Sequence, residues 1–351
     1  MAPGLTLRFP SPAPVALLVA LVSLGACGKP PTPTPPAPTV AWEPIFEGLP
    51  GALLSITGTS EKDLYAVGAD TRDGKGALFL HWDGATWKRI PTSFIGDLWW
   101  ISKIGERFWL SGTKGTVLTY VPSTGAVATV ATPGADVTLF GIWGNSEADV
   151  WAVGGNLEKT GPASALWRFD GSKWTVQKAP DAIEGKTTIF KVFGLGASDV
   201  YLCGATGIVG HFDGTAWSVL SSGVEDSMFT IHASPGLQVA VGGFASAVVL
   251  EKAGAGFKKV SGLSAQRMNG VFVTSATDAI AVGVNGDVLR RSSEGWKKDA
   301  SAASNYDLHA VWVDPKGEIW AVGGDLASTP LRKGTLVHFG AALGPATLPG
   351  N

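Results

Sequence analysis

The stretch Leu139–Gly155, LFGIWGNSEADVWAVGG, decides how the rest of the chain is read. Its two apolar halves are rich in aromatic and β-branched residues and are broken by glycine every few positions. That composition disfavours a helix and predicts two short strands joined by the polar turn NSEA. The second half recurs along the chain as DLYAVG (63–68), RFWLSG (107–112), DVWAVG (149–154), DVYLCG (199–204), LQVAVG (237–242), DAIAVG (278–283) and EIWAVG (318–323). The closing glycines follow one another at intervals of 38 to 50 residues.

The first half recurs as well. Its copies are LLSITG (53–58), LWWISK (98–103), LFGIWG (139–144), IFKVFG (189–194), MFTIHA (228–233), MNGVFV (268–273) and LHAVWV (308–313), apolar at the first and fourth positions in every case. A third element follows in HWDG (81–84) with Trp87, RFDG (168–171) with Trp174 and HFDG (211–214) with Trp217. Asp-Gly suits a tight hairpin, because Gly tolerates positive φ and Asp accepts from nearby amides. Each unit therefore reads as four strands, here named a to d. A period near 40 residues with four strands is that of a propeller blade. Seven copies predict an all-β, seven-bladed β-propeller of four-stranded antiparallel blades.

The last unit has a good strand c, TLVHFG (335–340), but no following Trp. The missing strand d stands at the other end. Trp42 lies 11 residues before Leu53, as Trp87 lies 11 before Leu98 and Trp217 lies 11 before Met228. The strand around Trp42 is expected to complete the seventh blade and close the ring, removing a free sheet edge. The propeller then spans residues 41–340, with 341–351 as a loose C-terminal tail. Recurring Asp63, Asp149, Asp199 and Asp278, with Ser60, Ser146 and Ser275 upstream, read as turn hydrogen bonds repeated once per blade.

This combination resembles bacterial seven-bladed propellers of the WD40/YVTN/BNR-like repeat group. The DVWAVG and DG-x-x-W elements are similar to those of myxobacterial-type propeller lipoproteins. The turns partly match Asp-boxes, lacking their Ser and spacing, and the paired glycines at 154–155, 242–243 and 323–324 are Kelch-like. The resemblance covers about residues 41–340 and concerns architecture, because propellers host many activities.

The N-terminus carries an address. Residues 1–26 hold one basic residue, Arg8, and an apolar run from Pro14 to Ala26, the pattern of a signal peptide. The run ends Leu24-Gly25-Ala26-Cys27, which resembles the bacterial lipobox and implies lipidation of Cys27 after cleavage. Gly28 rather than Asp follows, which by the same resemblance implies the outer membrane of a bacterial cell envelope. Residues 27–40 then form a lipidated cysteine and a Pro/Thr-rich tether, extended at ~3.1 Å per residue.

Composition excludes some functions. Charged residues make up 16% and the formal net charge is −2, so no basic face calls for nucleic acid. Cys203 lies in the apolar run VYLCG and reads as a small buried hydrophobe. His81, His211 and His338 share one strand-c position in different blades and cannot converge on one metal. Asp70-Thr-Arg-Asp73-Gly74 lacks the acidic spacing of a Ca²⁺ loop. The arginines 72, 89, 107, 168, 267, 290, 291 and 332 are scattered, without the cluster a sialidase needs. No motif names a catalytic residue, a metal site or a cofactor.

Binding is expected at the ring axis or across one end. Trp100 and Lys191 stand out, because they occupy a strand-a position where other blades use small residues. Two positions later come Trp143, Phe193, His232, Phe272 and Trp312, expected mainly as packing between blades. His309 joins the candidates as a second strand-a histidine. The reading is a membrane-tethered, extracytoplasmic, non-enzymatic scaffold for a protein or glycan. The alternative is a propeller-type polysaccharide hydrolase or lyase.

Overall fold

The computed structural model describes residues 40–158 and 160–348. Cys27, the leader and all of the expected tether except Val40 lie outside the described residues. Seven antiparallel four-stranded sheets make up the architecture. In blade 3 the strands are Thr138–Ser146, Asp149–Gly155, Ala165–Phe169 and Trp174–Val176. Strand a of each blade packs against strand a of the next, and blade 7 packs against blade 1, so the seven inner strands close a ring. The chain is a seven-bladed β-propeller. Among the described residues the only helical element is a 3₁₀ turn at Val284–Gly286, and no helix is long and apolar enough to cross a membrane.

The seventh blade closes with the N-terminal strand. Ala41–Leu49 pairs antiparallel with Arg332–Gly340, with Trp42 opposite Phe339. Phe46 reaches across to Trp87 of blade 1 in an edge-on contact at 5.6 Å. Residues 341–348 are not loose, contrary to the sequence reading. The amides of Leu343 and Gly344 donate to the Glu43 carboxylate, Ala346 donates to the Ile45 carbonyl, and Leu348 is buried beside Ile45 and Phe46. An apolar side chain and a carboxylate on the closing strand together hold this segment down.

Strand a is irregular in the same way in every blade. In blade 3, Leu139 pairs with Gly154 while Gly141 pairs with Val153, leaving Phe140 as an extra residue. The same slip occurs at Leu54, Trp99, Phe190, Phe229, Asn269 and His309. A bulge of this kind re-aims the side chain it carries. It also explains the glycine that ends each strand b. A Cβ on Gly154 would stand 1.9 Å from the Thr138 carbonyl oxygen, and the other six closing glycines give 1.8–2.3 Å to the equivalent carbonyl. No side chain fits where the two backbones approach this closely.

Apolar clusters fill the gaps between blades. One joins Ile104 and Trp109 of blade 2 to Leu139, Trp167 and Trp174 of blade 3. The Asp-Gly hairpins form as expected, with Asp83 accepting from the amides of Ala85 and Thr86 and Gly84 at φ 86°. The acid before strand b does something different from the expected bond to Ser. Asp63 bonds His81 at 2.9 Å, Asp149 bonds Arg168 at 2.8 Å and Asp199 bonds His211 at 2.8 Å, each clamping strand b to strand c. Only Asp278 bonds its serine, Ser275, while Ser60 and Ser146 accept backbone amides. Asp63 also accepts from Thr59 Oγ1 within its own turn.

Candidate functional site

Six of the seven bulged residues, Trp99, Phe140, Phe190, Phe229, Asn269 and His309, line one cavity, and their identities decide its chemistry. In blades 2 to 5 they are Trp99, Phe140, Phe190 and Phe229, which meet in sequence around the axis. Trp99 meets Phe140 at 5.0 Å, Phe140 meets Phe190 at 5.6 Å and Phe190 meets Phe229 at 5.5 Å. His309 of blade 7 extends the collar to Trp99 at 5.8 Å. Offset and edge-on geometries such as these suit the quadrupoles of the rings.

The collar surrounds a funnel of about 260 Å³, lined also by Lys191, Arg267, Asn269, Leu157 and Leu326. Leu157 belongs to the long b–c loop of blade 3 and Leu326 to that of blade 7, so the funnel opens on the end that carries the b–c loops. Phe244, 85% exposed, sits in the b–c turn of blade 5 at that end. Among the described residues no acidic side chain lines the cavity.

Two basic side chains, Lys191 and Arg267, set the electrostatics. Lys191 is 3% exposed, donates to the Phe140 carbonyl at 2.8 Å and lies over the Trp100 ring. Burial pushes its ammonium down to about 7. Arg267 donates from Nε to Asn269 Oδ1, and its guanidinium stands 5.5 Å from the Phe229 ring centre. His309 Nδ1 meets the Leu54 carbonyl, which can only accept, so that nitrogen carries the proton. Burial, then the nearby charge of Lys191, holds this imidazole down to about 3, so it is neutral at physiological pH.

The candidates from sequence separate into two levels. Lys191 and His309 reach the funnel. Trp100 packs between blades as the platform for Lys191. Trp143, Phe193, His232 and Trp312 lie deeper along strand a, where Phe193, His232 and Phe272 stack at 4.0 and 4.4 Å. The Val273 amide donates to His232 Nδ1, and burial holds this ring down to about 3 as well. Trp312 and Phe272 border a second cleft of about 880 Å³ at the opposite end, lined also by Asp278, Arg290, Arg291 and Asp314.

Sequence reading missed Trp99, Phe140, Phe190, Phe229, Arg267 and Asn269. Their signal was an aromatic at the second strand-a position in four successive blades. Simple alternation hid it, because the bulge moves that position off the expected face.

The remaining chemistry is structural. Cys203 is fully buried, and burial pushes its thiol up. Asp73 of the acidic loop is occupied by Arg89 at 2.7 Å. Among the described residues no group of three or more His, Cys, Asp or Glu side chains converges as a metal site.

The fold resembles solved propellers at low sequence identity. YCF48 from Cyanidioschyzon merolae superposes with a TM-score of 0.63 at 13% identity, over 85% of this chain and 98% of that one. A structure of YCF48 bound to D1 peptide gives 0.63 at 12% identity, over 85% and 96%. The WD40 propeller domain of Doa1 gives 0.59 at 9% identity, over 86% and 97%. No protein-family description and no curated protein matches the sequence. At these identities the likeness to YCF48 and to the WD40 propeller is one of fold.

Proposed function

We propose that this chain is a lipid-anchored, extracytoplasmic propeller of the bacterial envelope that binds a protein partner at the mouth of its axial funnel without transforming it. The observation that carries the reading is the collar of Trp99, Phe140, Phe190 and Phe229 beneath a rim bearing Leu157, Leu326 and exposed Phe244. A protein segment suits this mouth better than a glycan, because sugar hydroxyls need more hydrogen-bonding groups than the lining offers. The peptide held by YCF48 is consistent with a propeller in this role. Cys27 supplies the anchor and residues 28–40 the spacer.

The test is crosslinking capture from membranes of cells making the full chain, comparing wild type with a Trp99→Ala/Phe190→Ala double variant. The expected result is a protein crosslinked to wild type and lost in the double variant, and release of the chain from the membrane fraction in Cys27→Ala. Capture that is indifferent to the funnel variants would overturn the reading. So would turnover of envelope polysaccharide by the purified chain, or capture of a glycan in place of a protein.

A further inference from the structure

The arginines of the described residues divide sharply. Arg89, Arg107, Arg168, Arg290, Arg291 and Arg332 each form an ion pair with a carboxylate. Arg72 and Arg267 form none among the described residues; Arg72 is exposed in a loop, whereas Arg267 lines the funnel. Its side chain is nonetheless held in place. Nε donates to Asn269 Oδ1 at 3.2 Å, and the Asn269 amide nitrogen donates to the Leu308 carbonyl at 2.8 Å. Asn269 is 5% exposed and its backbone carbonyl accepts from Thr230 Oγ1 at 2.7 Å. Among the described residues no hydrogen-bond partner meets the two terminal nitrogens of the guanidinium.

The surroundings reinforce this charge rather than neutralise it. Lys191 is the second basic side chain of the lining, and among the described residues no acid lines the cavity beside either of them. Lys191 is held by the Phe140 carbonyl and the Trp100 ring, beside the cavity that Arg267 also lines. Both cations lower the proton affinity of His309. An apolar pocket with a fixed, unpaired guanidinium is complementary to an anion on an apolar body. The planar fork matches a carboxylate in two-pronged fashion. A cavity of about 260 Å³ is small for a drug-sized ligand and holds a group of roughly one side chain.

We infer that the funnel is a carboxylate site, in which Arg267 pairs with the carboxylate of an aromatic or aliphatic acid whose apolar part lies against Phe140, Phe190 and Phe229. The acid is either a free small molecule or the last residue of a partner chain. The assignment rests on the reading of the funnel as a binding site and names the chemistry it selects.

Calorimetry on the full chain in mild detergent tests it with four probes. These are N-acetyl-phenylalanine, its amide, a six-residue peptide ending in Phe with a free carboxylate, and the same peptide amidated. At least one acid is expected to bind ten times or more tighter than its amide, with that margin lost in Arg267→Gln. A preference for the peptide acid identifies a chain terminus, and equal binding of both acids identifies a free small acid. Arg267→Lys separates charge from geometry and is expected to recover only part of the margin. Acids and amides binding alike, or failure of all four probes to bind, would overturn the assignment. So would an acid margin that survives Arg267→Gln in a variant with unchanged thermal unfolding. Funnel-dependent capture from membranes reports separately on the binding reading, so that reading stands if capture succeeds while the acid preference fails.

Discussion

Lys191 Nζ lies 3.4 Å from the centre of the Trp100 ring, although the two residues belong to blades 4 and 2. The intervening blade offers Gly141, where even a Cβ would come within 3.1 Å of Lys191 Cα. A missing side chain in blade 3 thus lets a cation cross to its neighbour but one. The contact offsets part of the cost of burying a charge that has no carboxylate partner.

That cost predicts a pH dependence. The folded-state value near 7 lies below the ordinary 10.5 because of burial. Between these values the unfolded chain binds the proton and the folded chain does not, so wild-type stability rises with pH across that window. Its maximal slope is about 1.4 kcal/mol per pH unit. Lys191→Met removes this contribution. Urea denaturation at pH 7 and pH 10 is expected to show wild type gaining on the variant as pH rises, and parallel behaviour of the two proteins would refute the assignment.

His232 gives the matching acid-side prediction. Its ring is held near 3, below the ordinary 6.5, by burial. On acidification from 6.5 to 3 the unfolded chain takes up a proton that the folded chain refuses, so stability falls. His232→Asn keeps an acceptor for the Val273 amide and cannot titrate. Its deficit relative to wild type at pH 7 is expected to shrink by pH 4 in thermal unfolding. A deficit that stays constant would count against the buried neutral ring.

The closing glycines carry a steric prediction. Gly154→Ala forces a Cβ against the Thr138 carbonyl and is expected to cost about 3 kcal/mol by overpacking. Gly196→Ala points into open space and should stay within about 0.5 kcal/mol of wild type. Equal urea midpoints for the two variants would contradict the bulge geometry.

Ring closure can be weighed at Phe46, which is 4% exposed and contacts Trp87 of the next blade. Phe46→Ala is expected to lose about 3–4 kcal/mol, in the range for a buried aromatic. Phe244→Ala, on the exposed rim, should change stability by less than about 0.5 kcal/mol. A small loss at Phe46 would mean that the N-terminal strand contributes little to closure.

The blades were legible because each repeats the same local constraints. An apolar first and fourth position in strand a, a glycine at the end of strand b and an Asp-Gly hairpin all serve backbone geometry, which does not change from blade to blade. The Trp42 strand was legible through its spacing to Leu53. The funnel was not, because one extra residue per strand a shifts the face on which Trp99, Phe140 and Phe190 emerge. Arg267 was hidden for another reason. Its distinction is a partner it lacks, and ion pairing among Arg89, Asp73 and their equivalents is visible only once the chain is folded.

The seven bulges have one further consequence. Each lifts a single residue out of the pairing ladder, so its identity is not constrained by a cross-strand neighbour. Leu54, Trp99, Phe140, Phe190, Phe229, Asn269 and His309 form a short word spelled around the axis, one letter per blade. A lineage can rewrite that word by point substitution, turning an aromatic collar into a charged or polar one, while every blade keeps its glycine, its hairpin and its fold.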